Sequence, residues 1–302
     1  MALAELFSDT IRLERLFPRE PMSRHTSFKI GGPAELLVMP EDAGQAAGVL
    51  SVCRLEGVPC FVMGKGSNLL VGDGGIDGVV LKLANGFDRV NVQTDGTVTA
   101  DSGVSLARLA SRAQEAGLTG LEFAHGIPGS LGGAVFMNAG AYGGEMKDVV
   151  TSMDVLTGDG SVETLTGEEM AFGYRSSVIQ QTGGIVIKVR LTLSNGEPDA
   201  VLGKMRDLDA RRKAKQPLEF PSAGSTFKRP PGYFAGKLVM DSGLAGFAVG
   251  GAQVSPKHCG FIVYTGGAAA RDVLAVIEHV KRVVMNKFGV VLEPEVKLVG
   301  HF

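Results

Sequence analysis

The spacing of apolar and polar positions changes repeatedly along the chain, and each change predicts an element. Leu3, Leu6, Phe7, Ile11, Leu13 and Leu16 recur at helical spacing, which predicts a short amphipathic helix stopped near Pro18. A strand is expected at 34–39, then a helix opened by Pro40, Glu41 and Asp42 and closed at Gly57. Residues 58–63 read as a buried strand that runs straight into GKGSNLLV at 64–71. Strands follow at 78–83, 89–93 and 97–101. A helix at 104–116 then carries Leu106, Leu109, Ala110 and Ala113 on one face and ends at Gly117.

The segments 149–156 and 161–165 flank TGDG, a hairpin signal. Ile185, Ile187, Val189, Leu191 and Leu193 alternate with Lys188, Arg190 and Thr192, the pattern of a half-buried strand. A charged surface helix is expected at 198–213 and is broken at Lys215, Gln216 and Pro217. Beyond it, 234–242 reads as helix and 260–264 as strand. A long helix at 270–288 turns Val273, Val276, Ile277, Val280 and Val284 inward, and two short strands flank Pro294. Short strands mixed with helices, without regular βαβ spacing, predict an α+β fold.

One stretch fits neither period. Residues 126–144, GIPGSLGGAVFMNAGAYGG, hold seven glycines, a density that costs stability in an ordinary helix or strand. It suits backbone that turns sharply and approaches a flat or charged ligand. Ile127, Leu131, Val135, Phe136 and Met137 thread through it and argue against a loose linker. A second glycine-rich turn, GKGSNLL, follows a predicted strand, where a phosphate-binding turn and a plain turn both fit. It is not a dinucleotide fingerprint, because Leu69 stands where the third glycine is needed, and no GxxxxGK[ST] occurs. Two such loops together suit a dinucleotide, with its pyrophosphate and its large planar ring.

Composition narrows the classes. The 302 residues are 44% hydrophobic and 21% charged, a globular balance with room for two or three domains. A net charge of −2 gives no global case for nucleic acid or a membrane surface. Cys53, Cys60 and Cys259 form no CxxC pair, which suits a reducing compartment. Acidic residues through the first seventeen positions make a poor targeting leader, and no apolar run approaches ~20 residues. The expectation is a cytoplasmic protein with no membrane partner. His25, His125 and His258 lack the paired acid or cysteine spacing of a metal site, so no metal is expected.

The segments HTSFKIGGPA, GKGSNLLV, GLEFAHGIPGSLGGAVFMNAGAYGGE, FGYRSS, SAGSTFKRPPGYFAGKLVMDSGLAG and LEPEVKLVG occur in order from His25 to Gly300. Together they resemble the UDP-N-acetylenolpyruvoylglucosamine reductase (MurB) family. The glycine loops are shared with a wider class of FAD-binding proteins, whereas the Tyr-Arg, Gly-Ser-x-Phe and Leu-Glu-Pro-Glu-Val segments are far more specific. The resemblance implies a two-part FAD-binding region of the vanillyl-alcohol-oxidase (PCMH) type plus a C-terminal α+β substrate-binding domain. On it, 1–75 form the first FAD-binding subdomain, joined by the C-terminal strand 290–302. Residues 76–197 form the second, and 198–289 the substrate domain.

The implied activity is reduction of UDP-N-acetylglucosamine enolpyruvate to UDP-N-acetylmuramate, in peptidoglycan precursor synthesis, with FAD held non-covalently and NADPH as co-substrate. A monomer is expected. Hydride addition to an enolpyruvyl ether leaves negative charge beside the carboxylate and a carbon that needs a proton. By similarity Arg175 and Glu295 would stabilise that charge, and Ser225 would supply the proton. Spacing alone cannot choose between Glu293 and Glu295, which face the same way in a strand; the family pattern picks Glu295 and leaves Glu293 a structural or orienting role.

The resemblance assigns the cofactor to Gly64, Lys65, Gly66, Ser67, Asn68 and Leu69, and to Gly126, Ile127, Pro128, Gly129, Ser130, Gly132, Gly133, Ala134, Asn138 and Gly140. It assigns the substrate to Tyr142, Tyr174, Lys215 and Arg229, though Lys215 equally suits a solvated helix end. His125 stands where covalent flavin attachment would be conceivable, but the resembled family holds FAD non-covalently. The 31 residues between Leu193 and Ser225 resemble the shorter members, which lack an inserted loop carrying a tyrosine that closes over the substrate. Two rivals remain: an FAD oxidase of an alcohol or sugar, which has no need for Ser225, Arg175 and Glu295 together, and a non-catalytic nucleotide-binding protein on the same scaffold.

Overall fold

The computed structural model describes residues 3–83 and 86–302. They group into two compact units, each assembled from separated segments. One holds Met1–Pro18, Leu36–Lys65 and Gly78–Arg212, and the other holds Arg19–Glu35, Gly66–Asp77 and Lys213–Phe302.

A four-stranded sheet runs in the order Leu16–Pro21, Pro33–Val38, Ile76–Lys82, Cys60–Met63. Beside it, the helix Ala43–Leu55 starts where the Asp42 carboxylate accepts the Gln45 N–H at 2.8 Å. It ends where Gly57, at φ +66°, turns the chain toward the next strand. Ala46, Val49 and Cys53 from this helix pack with Phe7, Ile11, Leu36, Val38, Val79 and Leu81.

A five-stranded antiparallel sheet follows, in the order Val162–Thr166, Val150–Leu156, Ile185–Thr192, Thr97–Asp101, Val90–Val92. Along Ile185–Thr192 buried and exposed residues alternate as the sequence predicts. The helix Leu106–Glu115, capped by the Ser105 hydroxyl, buries Leu106, Leu109, Ala110 and Ala113. Leu131, Val135, Val189 and Leu191 complete that core, each worth about 1.5–3 kcal/mol of burial for a residue of this size.

In the second unit, Ala248–Val249, Ala252–Val254 and Ile262–Tyr264 form a three-stranded antiparallel sheet. The helix Ala270–Phe288 packs Val273, Val276, Ile277, Val280 and Val284 into this core at zero exposure. Its first turn is satisfied from outside: the Asp73 carboxylate accepts the N–H groups of Ala270 at 2.7 Å and Arg271 at 3.1 Å. A parallel pair, Leu69–Val71 with Lys297–Val299, brings the far end of the sequence beside the first glycine loop.

Three expectations fail, each for a local reason. The helix expected over 3–16 is two 3-10 turns, Leu3–Phe7 and Leu13–Arg15, followed by the strand Leu16–Pro21. The N–H groups of Thr10 and Ile11 both close onto the Phe7 carbonyl, which ends the first turn at the polar run Ser8-Asp9-Thr10. Pro18 is tolerated because this strand lies at the sheet edge. Within 126–144 the chain forms a regular helix, Leu131–Phe136, despite Gly132 and Gly133. Finally, only one strand, Lys297–Val299, flanks Pro294; the preceding side is limited to a bridge between Pro294 and Phe227.

A Cβ at Gly72 would stand 2.0 Å from the His301 carbonyl oxygen. Gly72→Ala must therefore push residues 299–301 away from 72–75. A loss of about 1–3 kcal/mol is expected, read as a lowered denaturant midpoint.

Candidate functional site

The two glycine-rich loops meet at one point. The strand Cys60–Met63 delivers Gly64 against Ser130, so closely that a Cβ at Gly64 would lie 2.2 Å from the Ser130 hydroxyl oxygen. Only glycine fits there. Ser130 is buried, and its hydroxyl does not cap the helix Leu131–Phe136 that follows. That helix is drawn in by its first N–H groups: Leu131 donates to the Val104 carbonyl and Gly132 to the Ser102 carbonyl, each at 2.8 Å. Gly132 is required by this approach, since its Cβ would sit 2.8 Å from Ser102 Cβ.

Behind the loops is a residue that sequence reasoning missed. Ser102 is 1% exposed, and its hydroxyl has no hydrogen-bond partner among the described residues. An orphan of this kind costs about 1–3 kcal/mol, a cost that a polar ligand atom relieves. The available signal was its place at the junction of a strand and a helix, in Asp101-Ser102-Gly103. The converging loops and the unpaired hydroxyl fit a dinucleotide cofactor such as FAD.

The far end of 126–144 is a tight hairpin. Gly140–Ala141 pairs antiparallel with Gly144–Glu145 around Tyr142 and Gly143, at φ +52° and +89°. Positive φ at both central residues is the type I′ signature, and it presents the half-exposed Tyr142 at the tip. Tyr174 and Arg175 occupy a second tip, between Gly173 and Ser176, which exchange backbone hydrogen bonds. Arg175 is also at positive φ, +55°, so three predicted site residues, Asn138 at +40° included, hold conformations that disfavour a side chain.

Partners on all sides fix that strained turn. The Arg175 guanidinium donates to the Gly140 carbonyl at 3.3 Å and lies over the Tyr174 ring, 5.1 Å from its centroid. The Gln180 amide donates to the Arg175 carbonyl at 3.0 Å. Asn138 is fully buried; its amide donates to Glu145 at 2.6 Å and to the Gly173 carbonyl at 2.9 Å, and accepts the Lys147 N–H at 2.9 Å. Its side chain thus holds the two tips rather than facing outward.

Ser225 and Glu295 come together in the second unit. Thr226–Lys228 runs antiparallel to 293–295: the Glu295 N–H donates to the Thr226 carbonyl and the Lys228 N–H to the Glu293 carbonyl, each at 2.8 Å. Ser225, exposed and following Gly224 at φ +77°, is therefore beside Glu295 along the backbone. Glu293 forms an ion pair with the Lys228 ammonium. Arg229 donates to the Tyr233 carbonyl at 3.2 Å and stacks over the Phe234 ring at 4.0 Å. Lys215 is exposed at the end of the helix Pro198–Lys215.

That helix also supports the start of the 126–144 loop. Asp209 Oδ2 lies 2.9 Å from His125 Nδ1, and a Cβ at Gly126 would meet Asp209 Oδ1 at 2.8 Å and Arg212 Cδ at 3.2 Å. Burial pushes the Arg212 guanidinium down from its ordinary pKa, against the pull of Tyr142 and Asp209. The sequence hid Arg212 in a run of cations; its i,i+3 spacing from Asp209 was the clue. One turn earlier, Glu122 is 3% exposed, with the Lys204 ammonium at 3.3 Å. Burial works to raise its pKa. Hydrogen bonds from the Thr119 hydroxyl, its own N–H and the Gly120 N–H, with the Lys204 charge, outweigh burial and hold it below the usual carboxylate range.

Comparison with known proteins settles the family. Residues 34–166 match the FAD binding domain profile, and residues 216–299 match that of the UDP-N-acetylenolpyruvoylglucosamine reductase C-terminal domain. The chain is 52% identical over 293 residues to the UDP-N-acetylenolpyruvoylglucosamine reductase of Lachnoclostridium phytofermentans, covering 96% of this chain and 94% of that one. The chain belongs to the UDP-N-acetylenolpyruvoylglucosamine reductase family.

A second reductase, from Caldanaerobacter subterraneus, is 49% identical over 299 residues, covering 99% of this chain and 98% of its own. The crystal structure of the Thermus caldophilus reductase superposes with a TM-score of 0.80 at 37% identity, over 93% of this chain and 97% of that one. Wild-type Phl p 4.0202, a glucose dehydrogenase, shares the fold alone: TM-score 0.50 and 16% identity over 66% of this chain and 45% of its own. The chain is thus an oxidoreductase of the reductase family, with the α+β architecture expected, and its length is consistent with the shorter form. Among the described residues no helix is long and apolar enough to cross a membrane.

The depressed Glu122 carboxyl contributes stability that is present above its unfolded pKa, about 4.3, and lost as pH falls through its folded value. Glu122→Gln should therefore be less stable than the parent at neutral pH. The gap should close on acidification below pH ~4, as read from denaturation midpoints across a pH series.

Proposed function

We propose that the protein reduces UDP-N-acetylglucosamine enolpyruvate to UDP-N-acetylmuramate with NADPH, through non-covalently bound FAD, in peptidoglycan precursor synthesis. The observation that carries this reading is the joint match, in one chain, to an FAD binding domain and to the reductase C-terminal domain, at about half identity to whole reductases. A cytoplasmic monomer, with a substrate-binding region at 198–289 beside two FAD-binding parts at 1–75 and 76–197, completes the proposal.

The backbone of Gly64–Leu69 and the loop from Gly126 to Gly140 would hold the FAD, Ser130 and Ser102 adding hydroxyls where the loops converge. Bound FAD supplies the hydride relay between NADPH and the enolpyruvyl carbon. The chain's own residues do the rest. Arg175, pre-aimed by its strained turn, and Glu295, acting in its carboxylic-acid form as a hydrogen-bond donor, stabilise the negative charge that develops beside the substrate carboxylate. Ser225, held by Thr226 beside Glu295, gives up its hydroxyl proton to the neighbouring carbon. Lys215 and Arg229 supply cations for the UDP phosphates, and Tyr142 and Tyr174 stand at the tips toward the substrate.

The test begins with a visible spectrum of the purified chain, followed by NADPH consumption with and without the UDP-sugar. A colourless chain unable to take up FAD, or NADPH oxidation that needs only oxygen, overturns the proposal. For the proton, Ser225→Ala should still allow flavin reduction by NADPH while the substrate half-reaction slows by about 10²–10⁴-fold; normal rates in both halves remove Ser225 from the mechanism. For the cofactor, Ser102→Ala should weaken FAD binding by roughly 3–10-fold. The same change should stabilise the apoprotein, as loss of an orphan hydroxyl predicts.

A further inference from the structure

The first glycine loop is expected to hold the cofactor, yet one side chain in it is directed elsewhere. Asn68 Nδ2 donates to the Glu295 carbonyl at 3.1 Å, and the Asn68 carbonyl accepts the Lys297 N–H at 2.9 Å. The parallel ladder between the two segments begins only one residue later, at Leu69 and Lys297. The Asn68 amide therefore extends the ladder by one rung, using a side chain where a main-chain N–H would ordinarily serve.

The need for that rung is local. Residue 294 is proline, which has no N–H to tie the chain down just before Glu295. Glu295 is instead held on both sides: its N–H donates to Thr226 at 2.8 Å, and its carbonyl accepts from Asn68. Thr226 is fixed in turn, donating its N–H to the Gly260 carbonyl at 2.8 Å and accepting the Ile262 N–H on its hydroxyl at 3.1 Å. A single interlocked backbone thus carries Ser225, Glu295 and the end of the glycine loop.

We infer that Asn68 is a positioning residue for Glu295: its amide fixes the Glu295 main chain, and so the carboxylate's aim, rather than serving as a cofactor ligand. The assignment rests on the catalytic reading of Glu295 given above. A displacement near 1 Å at a reacting group costs on the order of 10²-fold in rate, so one rung in the ladder is enough to matter.

The test separates the two half-reactions by stopped flow in the FAD-loaded enzyme. Asn68→Leu keeps the shape of the side chain and removes the donor. Flavin content and flavin reduction by NADPH should stay at parent levels, while the substrate half-reaction slows ~10–100-fold and kcat falls with KM for the UDP-sugar unchanged. Asn68→Ser, which is polar but too short to reach Glu295, should show the same split and serves if the leucine variant does not fold. Loss of flavin, or equal slowing of both halves, assigns the side chain to the cofactor and overturns the inference. So do parent rates in both halves. Glu295→Gln run in parallel distinguishes the premise: if its substrate half-reaction is normal, Glu295 is not catalytic and the role given to Asn68 falls with it.

Discussion

The second unit depends on one pairing, the parallel ladder between Leu69–Val71 and Lys297–Val299. Each partner is short and gains little alone, and most of the sequence separates the two. Joining them incurs a loop-closure entropy cost that the few ladder bonds do not repay. Repayment comes from the apolar side of the joint, where Leu70, Leu292 and Val296 enter the core with Val276, Val280 and Phe227. Once paired, the strands place residues 66–68 and 293–295 side by side, and Glu295 and its neighbour Ser225 inherit that placement.

A different constraint shapes the first unit: close approach of backbone to backbone and backbone to side chain. Gly64 against Ser130 and Gly132 against Ser102 leave no room for a methyl group. Elsewhere the cost is conformational, since Asn138, Tyr142 and Arg175 hold positive φ with full side chains. The buried Asn138 amide, with donors and acceptor all engaged, offsets much of that strain by tying the two tips together. Rigidity of this kind suits the role proposed for the Arg175 guanidinium, which would have to be aimed before charge develops.

Much of this was legible in the sequence. Period-2 alternation gave the strand Ile185–Thr192, helical spacing gave Ala270–Phe288, and glycine density singled out the loops that meet at Gly64 and Ser130. Three things were hidden. The opening turns looked helical because Leu3 to Leu16 repeats at helical spacing, while the polar break at Ser8-Asp9-Thr10 decided otherwise. Ser102 carries no motif, because an unpaired hydroxyl is a property of packing alone. The partnership of Asn68 with Glu295 joins residues 227 positions apart, and only the register of the strand pair creates it.

The interleaving of the two units also governs the order in which the chain can mature during synthesis. The first unit's segments all precede residue 213, so its five-stranded sheet and the loop at 126–144 can consolidate while later residues are still being added. The second unit has segments at 19–35 and 66–77 that must wait for 213–302, and the edge at Leu69–Val71 stays unpaired until Lys297–Val299 has emerged. An open strand edge next to apolar Leu70 is a template for wrong pairing. The nascent chain thus carries this open edge from about residue 71 to the end of synthesis, and the segment that finally covers it is the one that delivers Glu295.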